Sequence, residues 1–190
     1  EDAIRAGREF GRPVVLKGGG AEILHKTELG LVRLALGDDN AIRGAFDELA
    51  GRMEAAKVKG EITVQPMADP GIELILGARI DPGFGPAIVI GLGGTYVEVL
   101  KSASLRLAPV GIEEALAMLG EGPLGTLLAG VRGKGPYDFE AAARAIVALS
   151  DFALGTADLF AAIEINPLIV LEKGRGAIGV DLVLEPRKGG

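Results

Sequence analysis

The segment that most constrains this chain is residues 164–168, which an aspartate, Asp181, follows across a predicted β-hairpin. Side chains of a strand alternate between its two faces, so Glu164 and Asn166 share one face. A turn at residues 173–176 would place Asp181 opposite Leu168 and diagonal to Asn166, on that same face. The chain is then expected to bring three oxygen-bearing side chains together at the end of a hairpin.

Two interpretations of these three side chains stay open at this point. Hard cations such as magnesium take oxygen ligands and usually share them with nucleotide phosphates. Equally, an acidic residue and an asparagine are typical of a strand end that precedes a proline, here Pro167. Short patterns of this kind have a substantial false-positive rate, so the spacing predicts either a metal site or a plain strand end.

The composition indicates a globular chain with an aliphatic core. Its 190 residues suffice for one ample core or two small lobes. Aromatic residues make up only 4% and tryptophan is absent, so Ile, Leu, Val and Ala must fill the interior. The 30 glycines are scattered among hydrophobic segments, which favours tight turns and close backbone approaches over a disordered linker.

Charge and residue types exclude several classes of function. A formal net charge of -6 argues against nucleic-acid binding, which needs a basic surface. The chain has no cysteine and one histidine, which excludes disulfides, thiolate chemistry and a multi-histidine metal site within it. No secretory signal and no run of 18 apolar residues occur, so we expect a cytoplasmic protein with no membrane partner.

Strands and helices are predicted to alternate irregularly, which is typical of an α+β fold in two layers. Residues 2–10 resemble the end of a helix closed by Gly11, so the start of the chain is expected to be truncated. Gly18 to Gly20 are predicted to form a loop, and Asp138 is predicted to cap the longest helix. The predicted strands are residues 13–17, 31–36, 61–67, 72–80, 87–91 and 96–101; the predicted helices are 41–56, 112–119, 123–129 and 139–154.

Lys17 and His25 are candidate functional residues at the start of the chain. Lys17 ends a hydrophobic strand before three glycines, so its ammonium could reach a phosphate that the glycine backbone admits, or could simply extend to solvent. His25 lies in a polar segment beside Lys26, where an imidazole could act as nucleophile or base, or could be inert.

Two further segments allow both a binding and a structural interpretation. The glycine loop at residues 91–94 could bind an anion through successive amides, or could be a tight turn between strands. Gln65 to Met67 end one strand and Glu73 begins the next. Such backbone could bind a purine edge, with the carboxylate on a ribose hydroxyl, or the two strands could form a plain hairpin.

Together these segments resemble a known family. The order is Val14–Lys17, Ile23–Gly30, Val64–Met67 with Gly71–Glu73, Asp81–Pro86, Gly91–Gly94 with Val97 and Glu98, Arg106–Pro109, and Glu164–Leu168 with Val180 and Asp181. The chain resembles, over nearly its whole length, the ATP-grasp domain of the NDP-forming acyl-CoA synthetases. That family includes ADP-forming acetyl-CoA synthetase, and succinyl-CoA synthetase β is a more distant relative.

The resemblance implies a fold, a reaction and partners. The fold would be an ATP-grasp fold of two α+β lobes, residues 1–67 (incomplete at its start) and 68–190, with a nucleotide cleft between them. The reaction would convert acyl-CoA, phosphate and ADP into free acid, CoA and ATP, with ATP/ADP and Mg²⁺ as cofactors. Its partner would be CoA-binding and ligase domains, or a subunit, carrying a phosphohistidine; homo-oligomerisation stays open.

The resemblance also implies roles for individual residues. His25, in the family's His-Lys-Ser/Thr motif, would relay the phosphoryl group, and Lys17 would hold nucleotide phosphates. The remaining roles fall into three groups: Gln65, Pro66 and Met67 at the adenine with Glu73 at the ribose; Gly93 and Gly94 beside the phosphates; and Glu164, Asn166 and Asp181 at magnesium.

Three positions depart from the family pattern, and one alternative function remains. Ser102 stands where an aspartate is common, Ala162 where an acidic residue is common, and Leu31 where a second glycine is usual. A similar synthetase-like region serves as a regulatory module in some protein lysine acetyltransferases. Retention of Lys17 and His25, with Asn166 and Asp181, favours the enzyme part over that module.

Overall fold

The computed structural model describes residues 1–11, 13–20, 29–93, 103–131 and 133–187. The chain divides into two compact units, Glu1–Met67 (unit 1) and Ala68–Gly190 (unit 2). Each unit combines helices with an antiparallel sheet, which confirms the predicted α+β class.

In the part of unit 1 that the structure describes, a three-stranded sheet packs with two helices. Strand β1 lies in the centre and pairs antiparallel with both β2 and β3. Helix α1 ends at Gly11, whose φ of 62° is the left-handed conformation that glycine adopts without strain. The elements are α1 (Asp2–Phe10), β1 (Val14–Gly19), β2 (Val32–Leu36), α2 (Asp39–Ala55) and β3 (Glu61–Pro66).

Helix α2 packs on one face of this sheet. Its first turn is capped by Asp38, whose Oδ1 accepts a hydrogen bond from the Ala41 N–H at 2.9 Å. Phe46, although apolar, is 41% exposed, and its neighbour Ala45 is buried. The buried positions of the helix are Ile42, Ala45, Leu49 and Met53, and they meet Ile4, Val14, Leu16 and Leu31 in the unit 1 core.

The predicted loop at Gly18 to Gly20 is wrong for its first two residues, which continue strand β1. Gly18 pairs with Ile62 and Gly19 with Glu61 of β3. The strand can approach α2 because Gly18 has no side chain: a Cβ there would lie 2.9 Å from Met53 Sδ. Gly18 therefore admits the Met53 side chain against the strand, and the loop can begin only at Gly20.

Over its described residues, unit 2 has a six-stranded sheet and three helices. The strand order is β6-β5-β4-β7-β8, and β9 also pairs with β7; every pairing is antiparallel. The strands are β4 (Ile72–Asp81), β5 (Gly85–Leu92), β6 (Ala103–Leu107), β7 (Phe160–Val170), β8 (Ala177–Gly179) and β9 (Leu182–Pro186); the helices are α3 (Ile112–Gly120), α4 (Gly122–Ala129) and α5 (Phe139–Gly155).

The helices of unit 2 cover one face of its sheet, and the core lies between them. Leu74, Leu76 and Ile163 point from the strands into this core, where they meet Leu119 and Ile146 from α3 and α5. As the composition predicts, the buried core side chains are almost all aliphatic. Within the described residues, no helix combines the length and apolarity needed to cross a membrane.

Candidate functional site

In unit 1, Lys17 and Gln65 lie on the same face of the sheet, the one directed away from the helices, which we call the far face. Val14 and Leu16 point into the core, so Val15 and Lys17 must point to the far face. Gln65 is directly opposite Val15 across the β1–β3 ladder and shares its face. The structure therefore brings these two predicted site residues together on neighbouring strands.

Lys17 is unusual because it is charged and only 8% exposed. Lys17 lies in the central strand β1, and neighbouring strands pair with it on both sides, through Val32 of β2 and Thr63 of β3. Thr63 Oγ1 also donates to the Lys17 carbonyl at 3.3 Å. A buried ammonium interacts more strongly with an anion than an exposed one does.

Pro66 and Met67 lie where β3 ends beside the beginning of β1. Pro66 is opposite Val14, and the Met67 N–H donates to the Pro13 carbonyl at 2.8 Å. The backbone of the predicted adenine segment is thus fixed by the central strand up to its last residue.

In unit 2, Glu73 and Gly93 meet at one end of the sheet. The Gly93 N–H donates to the Glu73 carbonyl at 2.8 Å. A Cβ on Gly93 would lie 3.2 Å from the Glu73 carbonyl oxygen, so the close approach of the two backbones favours glycine. Leu74 is buried under the helices, which directs the exposed Glu73 side chain to the far face of this sheet.

The predicted hairpin forms, but its register differs from the prediction. Leu168 is opposite Gly179, and the Asn166 N–H donates to the Asp181 carbonyl at 3.0 Å. Asp181 is therefore opposite Asn166, two residues from the predicted position opposite Leu168. The reason is the turn: Leu171 N–H bonds to the Gly176 carbonyl at 3.0 Å, so the turn is centred one residue earlier than the glycine pattern predicts.

A bulge in β7 keeps Asn166 on the far face while later residues return to the core. Leu74 is opposite Leu168 but Leu76 is opposite Ile165, so two residues of β7, Asn166 and Pro167, oppose one residue of β4. Pro167 has no N–H to give to the ladder, which makes a bulge a suitable place for it. Ile163 before the bulge and Leu168 after it are both buried.

Glu164, Asn166 and Asp181 supply oxygen donors that suit magnesium. Asn166 Nδ2 donates to Glu164 Oε1 at 3.1 Å, which leaves the Asn166 carbonyl oxygen as the acceptor. Two carboxylates and one amide oxygen fit a hard cation that takes its other ligands from phosphate and water. No group of three or more His, Cys, Asp or Glu side chains arranged to hold a metal occurs in the described part of the chain.

His25, Gly94 and Ser102 lie outside the described residues, as does the predicted strand at residues 96–101. The roles expected for His25 and Gly94 therefore stay predictions.

The structure adds one residue that sequence reasoning assigned only to helix capping. Asp138 caps α5 as predicted, and its second oxygen also accepts from Gly174 and Gly176 in the turn between β7 and β8. The Ala141, Gly176 and Gly174 N–H groups and nearby Arg144 hold the pKa of Asp138 below its ordinary value, while burial acts in the opposite direction. In the sequence, the only indication of these bonds was the pair Gly174 and Gly176, which flank Arg175 in the predicted turn.

Comparison with known proteins places these features in context. A family model described as an ATP-grasp domain matches residues 1–185. The chain is 36% identical over 185 residues to 4-hydroxybutyrate–CoA ligase [ADP-forming] of Nitrosopumilus maritimus, covering 95% of the chain and 26% of the relative. It is 35% identical to acetate–CoA ligase [ADP-forming] I subunit beta of Pyrococcus furiosus, covering 97% of the chain and 80% of that subunit.

Solved structures of one further protein are also similar. Dinucleotide forming acetyl-coenzyme A synthetase 1 of Ca. Korarchaeum cryptofilum, in complex with coenzyme A, Ca-AMPCP and HgCl+, gives a TM-score of 0.89 at 34% identity, over 98% of this chain and 81% of that one. The same protein with coenzyme A and Mg-AMPPCP, its phosphohistidine segment pointing towards the nucleotide binding site, gives 0.82 at 34% identity, over 98% and 82%. The chain spans about a quarter of the length of the N. maritimus relative.

Proposed function

Since the chain belongs to the ATP-grasp domain family, we propose that it is the nucleotide-binding, phosphoryl-transferring part of an ADP-forming acyl-CoA synthetase. The complete enzyme would convert acyl-CoA, phosphate and ADP into free acid, CoA and ATP. The relatives named above are acid–CoA ligases [ADP-forming], which supports this proposal over an acetyltransferase-linked regulatory module. A cytoplasmic location, expected from the sequence, is part of the proposal.

The observation that carries the proposal is the placement of Asn166 opposite Asp181, with Glu164 hydrogen-bonded to Asn166. Two carboxylates and one amide oxygen are too few ligands to complete the octahedral coordination of magnesium. They do suit a magnesium ion that is shared with nucleotide phosphates. The donor set is therefore what a nucleotide-dependent phosphoryl-transfer site requires.

The other predicted residues have complementary roles in this proposal. The buried Lys17 ammonium would bind nucleotide phosphate oxygens, and Gln65 to Met67 would bind the adenine edge. Glu73 would accept a hydrogen bond from a ribose hydroxyl, and Gly93 would let phosphate approach the backbone closely. Magnesium, when bound, would neutralise the charge that spreads over the transferred phosphoryl group.

His25 is proposed to carry the phosphoryl group between partner and nucleotide. The phosphorus–nitrogen bond on the partner's phosphohistidine would break as one forms on His25. The His25 bond would then break as a terminal oxygen of ADP bonds to phosphorus, which gives ATP. The partner would be CoA-binding and ligase domains, or a separate subunit, and units 1 and 2 would be the two nucleotide-binding lobes.

Calorimetric titration with ADP, with and without magnesium, tests the proposal. We expect ADP to bind more tightly with magnesium, and Asp181→Asn to remove most of that gain while affinity without magnesium stays the same. Glu185→Gln, an exposed acid on β9, is the matched control and should behave as the wild type. An Asp181→Asn protein that keeps the full magnesium effect would contradict the assignment.

A second experiment tests the relay in the complete enzyme with its partner. His25→Ala should abolish ATP formation from acyl-CoA while nucleotide affinity stays within about twofold, since phosphoryl transfer depends on positioned groups that ground-state binding does not need. Turnover that survives this substitution would show that the phosphoryl group reaches ADP without His25.

A further inference from the structure

Asp138 is a charged side chain that the proposed chemistry does not use, although it is nine-tenths buried. Its Oδ1 accepts from the Ala141 N–H at 3.0 Å, which caps helix α5. Its Oδ2 accepts from the N–H groups of Gly174 and Gly176, both at 3.0 Å. One carboxylate thus joins the beginning of the longest helix of unit 2 to the turn between β7 and β8.

Backbone hydrogen bonds reinforce this junction. The Asp138 N–H donates to the Leu171 carbonyl at 2.9 Å, and the Lys173 N–H donates to the Pro136 carbonyl at 2.9 Å. Residues 171–176 are therefore held against the segment that leads into α5, and the turn has a fixed centre.

Both glycines of the turn have positive φ angles. Gly174 has φ of 82° and Gly176 has φ of 89°, a region that other residues rarely adopt. Because alternate residues of the turn are glycine, their two N–H groups can point at the same oxygen.

The centre of the turn decides which residues face each other across the hairpin. A turn centred one residue later, as the pattern of residues 173–176 predicts, would move the pairing by two residues. Asp181 would then be opposite Leu168 and displaced from Asn166 by about 7 Å along the strand, given a rise of roughly 3.3 Å per residue. The sequence therefore contains a competing register that would separate the two proposed magnesium ligands.

We propose that Asp138 is a positioning residue, whose bonds to Gly174 and Gly176 select the register that places Asp181 opposite Asn166. The inference rests on the proposed function, because the selected register matters only if Asn166 and Asp181 bind magnesium together. A neutral side chain with one acceptor oxygen cannot replace the carboxylate, since the helix cap and the turn each occupy a separate oxygen.

Asp138→Ser separates the helix cap from the bonds to the turn. Serine caps helices well, but its side chain is too short to reach the turn as well. The matched control is Asp38→Ser, because Asp38 caps α2 through the same kind of bond to Ala41. We expect Asp138→Ser to lower the magnesium-dependent part of ADP affinity at least tenfold and to leave magnesium-free affinity unchanged. Asp38→Ser should change neither quantity.

Two readouts distinguish positioning from general loss of structure. Binding is measured at a temperature where circular dichroism shows each variant fully folded. Cross-strand nuclear Overhauser effects between Asn166 and Asp181 report the register directly, and they should weaken in Asp138→Ser only. Asp138→Asn, which keeps the side-chain volume, provides the same comparison should the serine variant not fold.

The outcomes separate this inference from the function on which it rests. Unchanged magnesium dependence and unchanged Asn166–Asp181 contacts in a folded Asp138 variant would overturn the positioning role alone. Wild-type protein whose ADP affinity does not respond to magnesium would refute the proposed function, and with it the site that Asp138 is proposed to position.

Discussion

Units 1 and 2 hold their proposed site residues by different physical means. In unit 1, Lys17 and Gln65 lie on adjacent strands, and a regular ladder through the central strand fixes both. In unit 2, Asn166 lies in a bulge and Asp181 follows a turn, so a carboxylate from a distant helix cap helps to fix their pairing. Regular backbone pairing suffices in the first unit, whereas in the second a side chain also bonds to the turn that sets the pairing.

The surface ion pairs of unit 1 and the buried Asp138 carboxylate of unit 2 should differ in their effect on stability. In unit 1, the described ion pairs are on the surface: Arg33 bonds to Glu48 and, together with Arg52, lowers the pKa of that carboxyl to about 2. Surface pairs of this kind contribute little to stability. In unit 2, Asp138 is buried and bonded to three backbone N–H groups. Removing it should therefore affect structure more than removing a surface charge.

The largest expected effect comes from the ladder of unit 1. A Cβ on Gly60 would lie 2.1 Å from the Gly19 carbonyl oxygen, so Gly60→Ala must push β1 and β3 apart. We expect it to lower the free energy of unfolding by more than about 3 kcal/mol, measured by urea denaturation. Gly51→Ala is the matched control: Gly51 is an exposed position of α2 with no atom within 4 Å of an added Cβ, and the change should stabilise by about 0.5–1 kcal/mol.

Equal stability of the two glycine variants would show that the β1–β3 contact is not tightly fixed. Unit 1 would then not differ from unit 2 in the way proposed here.

The next effect concerns binding. Lys17→Met should lower ADP affinity at least tenfold, about 1.4 kcal/mol, because the proposed phosphate contact is lost. Its free energy of unfolding is measured as well, so that affinities are compared only between folded proteins. The exposed Lys57→Met is the control and should leave affinity unchanged. Calorimetry and urea denaturation give both quantities, and retained affinity in Lys17→Met would remove Lys17 from the site.

The smallest effect is an acid dependence that differs between the units. The pKa of Asp138 lies below its ordinary value of 3.8, so its contribution to stability is complete above that pH and is lost as pH falls further. The charged groups on the two elements around it are Glu140, Arg144 and Asp151 on α5, and Glu172, Lys173 and Arg175 in the turn.

Hydrogen exchange, which reports each unit separately, checks this dependence. Asp138→Asn should reduce the loss of protection that unit 2 shows below about pH 4 and leave unit 1 unaffected. Glu48→Gln should reduce the acid-induced loss of protection in unit 1 and leave unit 2 unaffected. The relevant pH range runs from the ordinary glutamate pKa of 4.5 down to the Glu48 pKa of about 2. The same acid response in both variants and both units would contradict the separation.

The sequence predicted the parts of the fold that depend on local pattern. The strand predicted at residues 61–67 is confirmed as β3, and the helix cap at Asp138 is confirmed. The face of Asn166 and Asp181 was also predicted correctly, because a register error of two residues preserves the face of a strand.

The parts that were missed depend on contacts between distant segments. The turn centre depends on the second oxygen of Asp138, about 35 residues before the turn, and no local pattern contains that bond. Gly18 was predicted in a loop because its role is to admit Met53 of α2, again a contact between separate elements. The burial of Lys17 likewise could not be predicted from its position at the end of an apolar strand.

The central position of β4 has a consequence for synthesis of the chain on the ribosome. Strand β5 follows β4 directly and can pair with it at once, but Ile72 of β4 pairs with Val170 of β7 on its other edge. At translation rates of roughly 5–20 residues per second, that second edge stays without its native partner for several seconds. Nascent unit 2 therefore exposes a long apolar strand edge, and a chaperone that binds such edges would protect it best in this interval.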